Sequence, residues 1–437
     1  MFKSFFTVAI RHFARQRLYT LANLVGLSIG LTCILLIWLY IAHETSFDTF
    51  LPGAERTYRV LRQITTPYKM NFHVDTHAAL TPLVQQAIPE IESVNRIRPG
   101  ARWVQYGEYA QRRTFWFTDT NYLSFWGFKL KKGDPQTALM QRGSVVISQE
   151  AIAEFFHTED PMGKTITAED GDYVITGILD EQPHNSHFRV FFVTATLPTR
   201  SKGAWQNWET PSGFRWVQTF VRLREDANPG RAEEKLRALT FPESDPEITT
   251  NHRMQKLTRM HLCGLADFPA GIDGPGSGIA AGDLKVVRSL GFVGILLLMV
   301  ASINFVNLST ARATLRAKEV GIRKVVGANR ALLAAQFLVE SVLLTFMSLP
   351  ICFLLTSLLL PYWQQIVGRS GSLTAFFEPA MFLTLTGATL CVGLLSGVYP
   401  AILLSGFSPI KALHTRSFSS TGSAYLRKVL VVFQLWS

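Results

Sequence analysis

Cysteine is scarce in this chain, with 4 residues among 437. Cys33, Cys352 and Cys391 fall in apolar runs, which leaves Cys263 alone in the one long stretch of mixed polarity. No disulfide can close within that stretch, so its stability must come from a core. Charge is sparse as well: Asp, Glu, Lys and Arg make up 17% of the sequence against 48% hydrophobic residues, more apolar than an ordinary soluble enzyme. No H-E-x-x-H is present, and the one G-x-S-x-G match, Gly26 to Gly30, lies inside a long apolar run rather than at a strand-to-helix turn, so neither hydrolase signature is met. Gly163, Lys164 and Thr165 end like a phosphate loop, but Thr158 stands where the first glycine belongs, so no nucleotide is expected there. His184 and His187 lack two further ligands at recognisable spacing, so no metal is expected and each is read as packing or capping its own turn. The chain reads as non-catalytic.

What is abundant is concentrated. Apolar runs long enough to cross a bilayer cover Leu21 to Ala42, Ser289 to Ala311, about Ser341 to Pro361, and Ala380 to Leu404. The net charge of +11 is equally localised. Residues 1–20 hold four basic and no acidic residues, 312–330 six and one, and 405–428 four and none, whereas 43–288 hold 28 basic and 29 acidic. All the excess positive charge lies in alternate short segments, which assigns the N-terminus, the 312–330 loop and the tail to the cytoplasm and leaves a nucleic-acid partner nothing to explain. The run from Leu21 is too long for a signal peptide and lacks a cleavage site.

The predicted fold is an α-helical membrane protein with four transmembrane helices and a large α+β extracytoplasmic domain between the first and second. Its parts are a cytoplasmic amphipathic helix (1–20), a first span (21–42), the domain (43–288), a second span (289–311), a basic cytoplasmic segment (312–330), an interfacial segment with a third span (331–361), a short outer loop (362–379), a fourth span (380–404) and a tail (405–437). Within 43–288, strands are predicted at Thr57 to Ile64, Arg113 to Thr118, Ser144 to Ile147, Tyr173 to Leu179, Val190 to Thr196 and Trp216 to Leu223. Helices are predicted at Thr76 to Ile88, Gln149 to Phe156 and after Asn228, where Pro229 suits a first helical position. Residues 271–283, rich in glycine, read as a flexible stalk back to the membrane.

Small-xxx-small spacings at Gly26 and Gly30, and at Gly393 and Gly397, allow close helix approach, although glycine is frequent enough in membrane helices for chance to give the same spacing. Asn304 and Asn307 make the inner end of the second span polar, which suits interhelical hydrogen bonds. Glu340 falls near the inner boundary of the third span. It is read as a structural acid pairing with a base such as Arg330 or Arg316, an ion path being the other meaning of an intramembrane carboxylate.

In the basic segment, Leu315, Glu319, Ile322 and Val326 recur at helical spacing, Glu319 precedes Arg323 by four, and Gly327 and Asn329 break the pattern as a helix stop and an N-cap would. Periodicity alone leaves two readings open, a topology signal or a docking helix. The residues AKEVGIRKVVGA, Ala317 to Ala328, resemble the signature of the FtsX/MacB superfamily of ABC-transporter permeases. A P-x-G-K-x-I turn at Pro161 to Ile166, a P-x-x-S-H turn at Pro183 to His187 and the closing YPAILLSGFSPIKAL, Tyr399 to Leu413, resemble the same family.

The resemblance implies that Arg316, Lys318, Glu319, Val320, Gly321, Ile322, Arg323, Lys324 and Gly327 couple to a separate cytoplasmic ABC ATPase. ATP and magnesium would then belong to that ATPase, with no cofactor on this chain. It also implies a bacterial inner-membrane location, pairing as a homodimer or with another permease, a periplasmic adaptor as a further partner, and export or efflux by mechanotransmission. A regulator of a periplasmic hydrolase, or a sensor, is the alternative. Residues 425–434, YLRKVLVVFQ, resemble the start of a second repeat, and the nine residues after Lys428 are too few to cross, so the chain is expected to match the N-terminal half of a two-repeat permease.

Overall fold

A computed structural model describes residues 2–157, 159–195, 216–239, 249–262, 272–273, 282–311, 320–367 and 379–405. The chain divides into an α+β unit, His43–Val286, and a helical unit comprising Met1–Ala42 and Val287–Ser437. Helices α1 (Phe2–Arg15) and α2 (Arg17–Thr45) come first. The α+β unit then runs β1 (Thr57–Thr65), β2 (Met70–His73), β3 (Thr76–His77), α3 (Leu80–Ala87), β4 (Ile91–Tyr106), β5 (Tyr109–Thr118), α4 (Tyr122–Trp126), β6 (Leu130–Lys132), β7 (Ser144–Ile147) and α5 (Gln149–Phe155). It continues with β8 (Thr165–Ala168), β9 (Gly171–Leu179), β10 (Phe192–Thr194), β11 (Trp216–Leu223), α6 (Pro229–Ala238), β12 (Thr249–Lys256) and β13 (Ile272–Asp273). Helices α7 (Leu284–Ala311), α8 (Arg330–Met347), α9 (Leu349–Val367) and α10 (Pro379–Ser405) follow.

The sheet of the α+β unit is organised around two strands. β1 pairs antiparallel with β11 over Thr57 to Val60, with β2 over Arg62 to Thr65, and along its other edge with β12. β4 joins the two halves of the sheet: Ile91 to Ile97 pair with β11, and Ile97 to Tyr106 form a hairpin with β5 that turns at Gly107, φ +60°. Beyond β5 the order is β10, β7, β9 and β6, with the β10–β5 and β7–β9 pairs parallel. Helices α3 and α6 cover the first half through Leu80, Val84, Ala232 and Leu236, against Val60 and Val221. Helix α5 covers the second half, where Phe155 meets Phe115, Ile175 and Phe192. A third core gathers Trp126, Phe188 and Phe220.

Most predicted strands form in place, and three readings need correction. Thr76 and His77 are not helical: they pair with β11, and the Thr76 hydroxyl reaches Val217 O (3.1 Å) and Thr219 Oγ1 (2.6 Å), so the helix begins only at Leu80. β10 is shorter than the predicted strand, spanning Phe192–Thr194. β4, the longest strand, was not predicted, because Pro99-Gly100 within it reads as a turn. Pro99 falls between the end of the β11 pairing at Ile97 and the start of the β8 pairing at Val104, where that edge of β4 meets neither strand.

Among the described residues, four helical stretches are long and apolar enough to cross a membrane: Arg17–Thr45, Leu284–Ser309, Arg330–Gln365 and Leu385–Ile402. The third is interrupted at Ser348, which separates α8 from α9 and lies inside the single span predicted at 341–361. Ser348 turns its hydroxyl back onto Thr345 O (2.6 Å), and Pro350 takes a place in the first turn of α9, where a missing N–H costs nothing. The stalk at 271–283, apart from residues 272–273 and 282–283, the loop at 368–378 and the tail from 406 lie outside the described residues.

Candidate coupling segment and the helices around it

Residues 320–325 are helical and stop sharply. Gly327 takes φ +100°, the left-handed conformation a side chain resists, while the Ala328 N–H donates to Arg323 O (2.9 Å) and the Gly327 N–H to Lys324 O (3.0 Å). Two residues later Asn329 caps α8, its side-chain oxygen accepting from the Ala331 N–H (2.6 Å). A stop and a start separated by so little chain hold the short helix at a fixed angle to α8. Arg316, Lys318 and Glu319 lie outside the described residues.

The short helix has an inner and an outer face. Val320 is buried, in a small core with Leu333 and Phe337 of α8 and Ala401 of α10. Gly321 is buried beside it. The Arg323 guanidinium turns inward too, donating to Gln336 Oε1 (2.7 Å), and Gln336 Nε2 donates in turn to Glu340 Oε1 (3.0 Å). Glu340, 7% exposed, accepts from this neutral amide one helical turn away, with Arg323 one step further out; of the two bases expected to pair with it, Arg330 is exposed and Arg316 lies outside the described residues. On the outer face Ile322, Val325 and Val326 are 56, 67 and 83% exposed. Burial, and then repulsion from Arg330, push the Lys324 ammonium down from its ordinary value. The sequence spacing of Ile322 and Val326 thus marks an apolar face that the described chain leaves open.

Glycine allows the helices of this unit to approach closely. A Cβ at Gly26 would fall 2.9 Å from Asn304 Nδ2, and one at Gly30 the same distance from Ala301 Cβ, so α2 lies directly on α7. Gly393 meets the Val342 backbone and Gly397 meets Ser341, each with 2.9 Å to an added Cβ, so α10 lies on α8. Asn307 is half-buried on α7. Three contacts escaped the sequence reading: Tyr19 Oη to Ser309 Oγ (2.7 Å), Ser28 Oγ donating to Ser348 O (3.2 Å), and the Gln336 bridge. Gln336 was legible only as a polar residue one turn before Glu340.

In the α+β unit, Lys164 leads directly into β8 and pairs with Glu159, which is incompatible with a phosphate loop opening a helix. His184 takes a bond from Arg189 (2.8 Å), and His187 is buried against Asp48. Among the described residues no group of three or more His, Cys, Asp or Glu is arranged to hold a metal.

Two family models match this chain: the MacB-like periplasmic core domain over residues 20–239 and the FtsX-like permease C-terminal over residues 291–409. The chain belongs to the MacB/FtsX-like family of ABC-transporter permeases. A macrolide export ATP-binding/permease protein MacB of Burkholderia lata is 25% identical over 282 residues, covering 61% of this chain and 35% of the relative. The Salmonella typhimurium protein of the same name is 24% identical over 349 residues, 76% and 47% of the two chains. A probable syringafactin export ATP-binding/permease protein SyfD of Pseudomonas syringae is 24% identical over 304 residues, 67% and 42%. The permease thus spans less than half the length of these curated relatives. Among solved structures, a domain of a putative permease from Porphyromonas gingivalis aligns with TM-score 0.41 at 18% identity, covering 47% of this chain and 91% of that one. The periplasmic region of MacB from Actinobacillus actinomycetemcomitans aligns with TM-score 0.33 at 17% identity, 42% and 82%.

Proposed function

We propose that this permease chain sits in a bacterial inner membrane with both ends in the cytoplasm and the 43–286 unit outside, and that residues 312–330 dock on a cytoplasmic ABC ATPase. The relatives' names join ATP binding to a permease, while the two matched regions here cover the core domain and the permease part alone. In this reading ATP hydrolysis belongs to the docked ATPase. The observation that carries this reading is the two-faced segment at 320–330. An exposed trio of Ile322, Val325 and Val326 offers a partner an apolar foothold, and the opposite face is fastened to α8 through Val320 and the Arg323–Gln336–Glu340 bridge. A push on the outer face would move α8, and α10 with it through Gly393 and Gly397. In this reading the chain works by relaying ATPase motion to the outer unit for export, paired with a second permease copy or a related chain, and with a periplasmic adaptor on the outer side.

The test separates docking from transmission. Ile322→Asp combined with Val326→Asp places two charges in the foothold, and the ATP-hydrolysing protein co-purifying with the full chain should fall at least about tenfold, the equivalent of 1.4 kcal/mol. Arg323→Gln should leave co-purification intact and weaken the nucleotide-dependent change in protease sensitivity of the 43–286 unit. Full retention of the ATPase by the double variant would overturn the docking role.

A further inference from the structure

Four ionisable side chains of the α+β unit form an unbroken buried series. Asp48 Oδ2 lies 2.5 Å from His187 Nδ1, His187 Nε2 lies 3.2 Å from His261 Nδ1, and His261 Nε2 lies 3.0 Å from Glu44 Oε2. Asp48 is fully buried, and Glu44, His261 and His187 are 1, 2 and 7% exposed. The four come from three places. Glu44 is in the last turn of α2 and Asp48 in the turn that follows, His187 is in the loop between β9 and β10, and His261 follows the 3-10 turn Leu257–Arg259. Phe47 stacks flat on the His261 ring at 3.6 Å and closes one side, with the His43 ring edge-on to Phe47 at 5.2 Å. Asp48 takes φ +57°, a conformation aspartate tolerates better than most side chains, and this sets its carboxylate under the 185–188 loop. Its Oδ1 accepts from the Ser186 hydroxyl (3.0 Å) and the His187 N–H (2.9 Å), and its own N–H donates to Asn185 O (3.0 Å).

Proton counting gives this series a function. Three hydrogen bonds in a row need three protons, and two neutral imidazoles supply two. The third is carried by a ring or by a carboxyl. Each contact holds one proton, so a further proton that left both rings doubly protonated would set the N–H of His261 against the N–H of His187 and break the series at its middle. The backbone of Gly282, two residues before α7 begins, lies over the last bond: a Cβ there would run into Glu44 Oε2 and come within 2.9 Å of His261 Nε2.

We propose that the Asp48–His187–His261–Glu44 series is a pH-sensitive clasp that ties the chain's entry into the α+β unit to its exit and opens as the pH around it falls. Among the described residues, the charged or titratable groups facing His261 are Glu44 at the end of α2 and His187 of the β9–β10 loop, with Asp48 beyond His187 and His43 across Phe47. Burial holds the His261 imidazolium down to about 4, against the upward pull of Asp48. The closed clasp thus refuses a proton that an opened His261, near the ordinary 6.5, accepts. The closed form is fully favoured above 6.5 and loses that advantage as the pH falls from 6.5 toward about 4. Between pH 7 and pH 5 the open-to-closed ratio should rise about 20-fold by this linkage.

Hydrogen exchange of the full chain in lipid nanodiscs, corrected for the intrinsic pH dependence of exchange, reads the clasp directly. Peptides covering 43–49, 184–190 and 257–262 should lose protection together, by about 20-fold, on going from pH 7 to pH 5. His261→Gln can accept from His187 and donate to Glu44 but cannot take a proton, so it should keep its protection at pH 5. Gly282→Ala should deprotect the same three peptides already at pH 7 while β1 stays protected. A fall in His261→Gln equal to the wild type's, or unchanged protection in Gly282→Ala, would overturn the clasp.

Discussion

The two units treat buried polar groups in opposite ways. In the α+β unit such groups reach far along the chain: Arg96 grips Asp119 (2.6 Å), Arg59 grips Gln255 (2.7 Å), and Trp126 Nε1 donates to Asn95 Oδ1 (3.1 Å). In the helical unit most buried hydroxyls turn back on their own helix, one turn earlier. Thr32 donates to Ser28 O, Ser341 to Phe337 O, Thr345 to Ser341 O, Thr356 to Cys352 O and Thr389 to Leu385 O. A chain that folds from water can leave its polar groups solvated until a distant partner arrives. A helix surrounded by lipid has no such reserve, so it satisfies its polar atoms internally and meets its neighbours through small residues. The same division explains why Leu18, Ile295, Leu354, Phe382 and Leu383 stand more than half exposed on the helices.

The largest effect should come from removing what the α+β unit relies on. Trp126 is fully buried, packs against the tilted Phe188 ring at 3.8 Å between ring centres, meets Phe220 edge-on and ties down Asn95. Trp126→Ala should cost about 3–5 kcal/mol, seen as a lowered denaturation midpoint of the 43–286 unit within the full chain. In the helical unit the corresponding weak point is a contact with no side chain. Gly393→Leu would drive its Cβ to within 2.9 Å of the Val342 main chain, and should cost about 1–3 kcal/mol of thermal stability in detergent. Gly387→Leu on the same helix, where an added Cβ meets nothing within 4 Å, should change little and so shows that the effect belongs to the α8–α10 contact.

How far the sequence reveals each unit follows from the same contrast. The four long apolar stretches, the cap at Asn329 and the left-handed stop at Gly327 are local, and each is legible from its neighbours alone. The Asn228 cap with Pro229 behind it is legible for the same reason. β12 was missed because what makes it a strand lies elsewhere in the chain, Thr249 to Lys256 being polar and strand-forming only beside β1, while β4 was missed because its Pro99-Gly100 reads locally as a turn. In the coupling segment, the spacing of Ile322 and Val326 was visible but not that Arg323 turns inward, since that depends on Gln336 thirteen residues away. His187 shows the limit most clearly. As a loop histidine it reads as capping its own turn, whereas its partners are Asp48 and His261, 139 and 74 residues distant.

A matched pair of hydroxyl deletions sharpens the comparison with the smallest expected effects. Thr76 and Thr389 are both completely buried. The Thr76 hydroxyl bonds Val217 O and shares a proton with Thr219 Oγ1 across the sheet, so Thr76→Val strands a second buried hydroxyl and should cost about 1–3 kcal/mol. The Thr389 hydroxyl bonds only the Leu385 carbonyl, an oxygen one turn earlier on its own helix that is also placed to accept the helical backbone bond. Thr389→Val should therefore cost about 0.6 kcal/mol or less. Denaturation of each variant in the full chain, followed by tryptophan fluorescence for the α+β unit and by helical circular dichroism for the membrane part, gives the two numbers. Equal losses would mean that the polar groups of the helical unit hold its tertiary structure as those of the sheet do, and the contrast between the two units would fail.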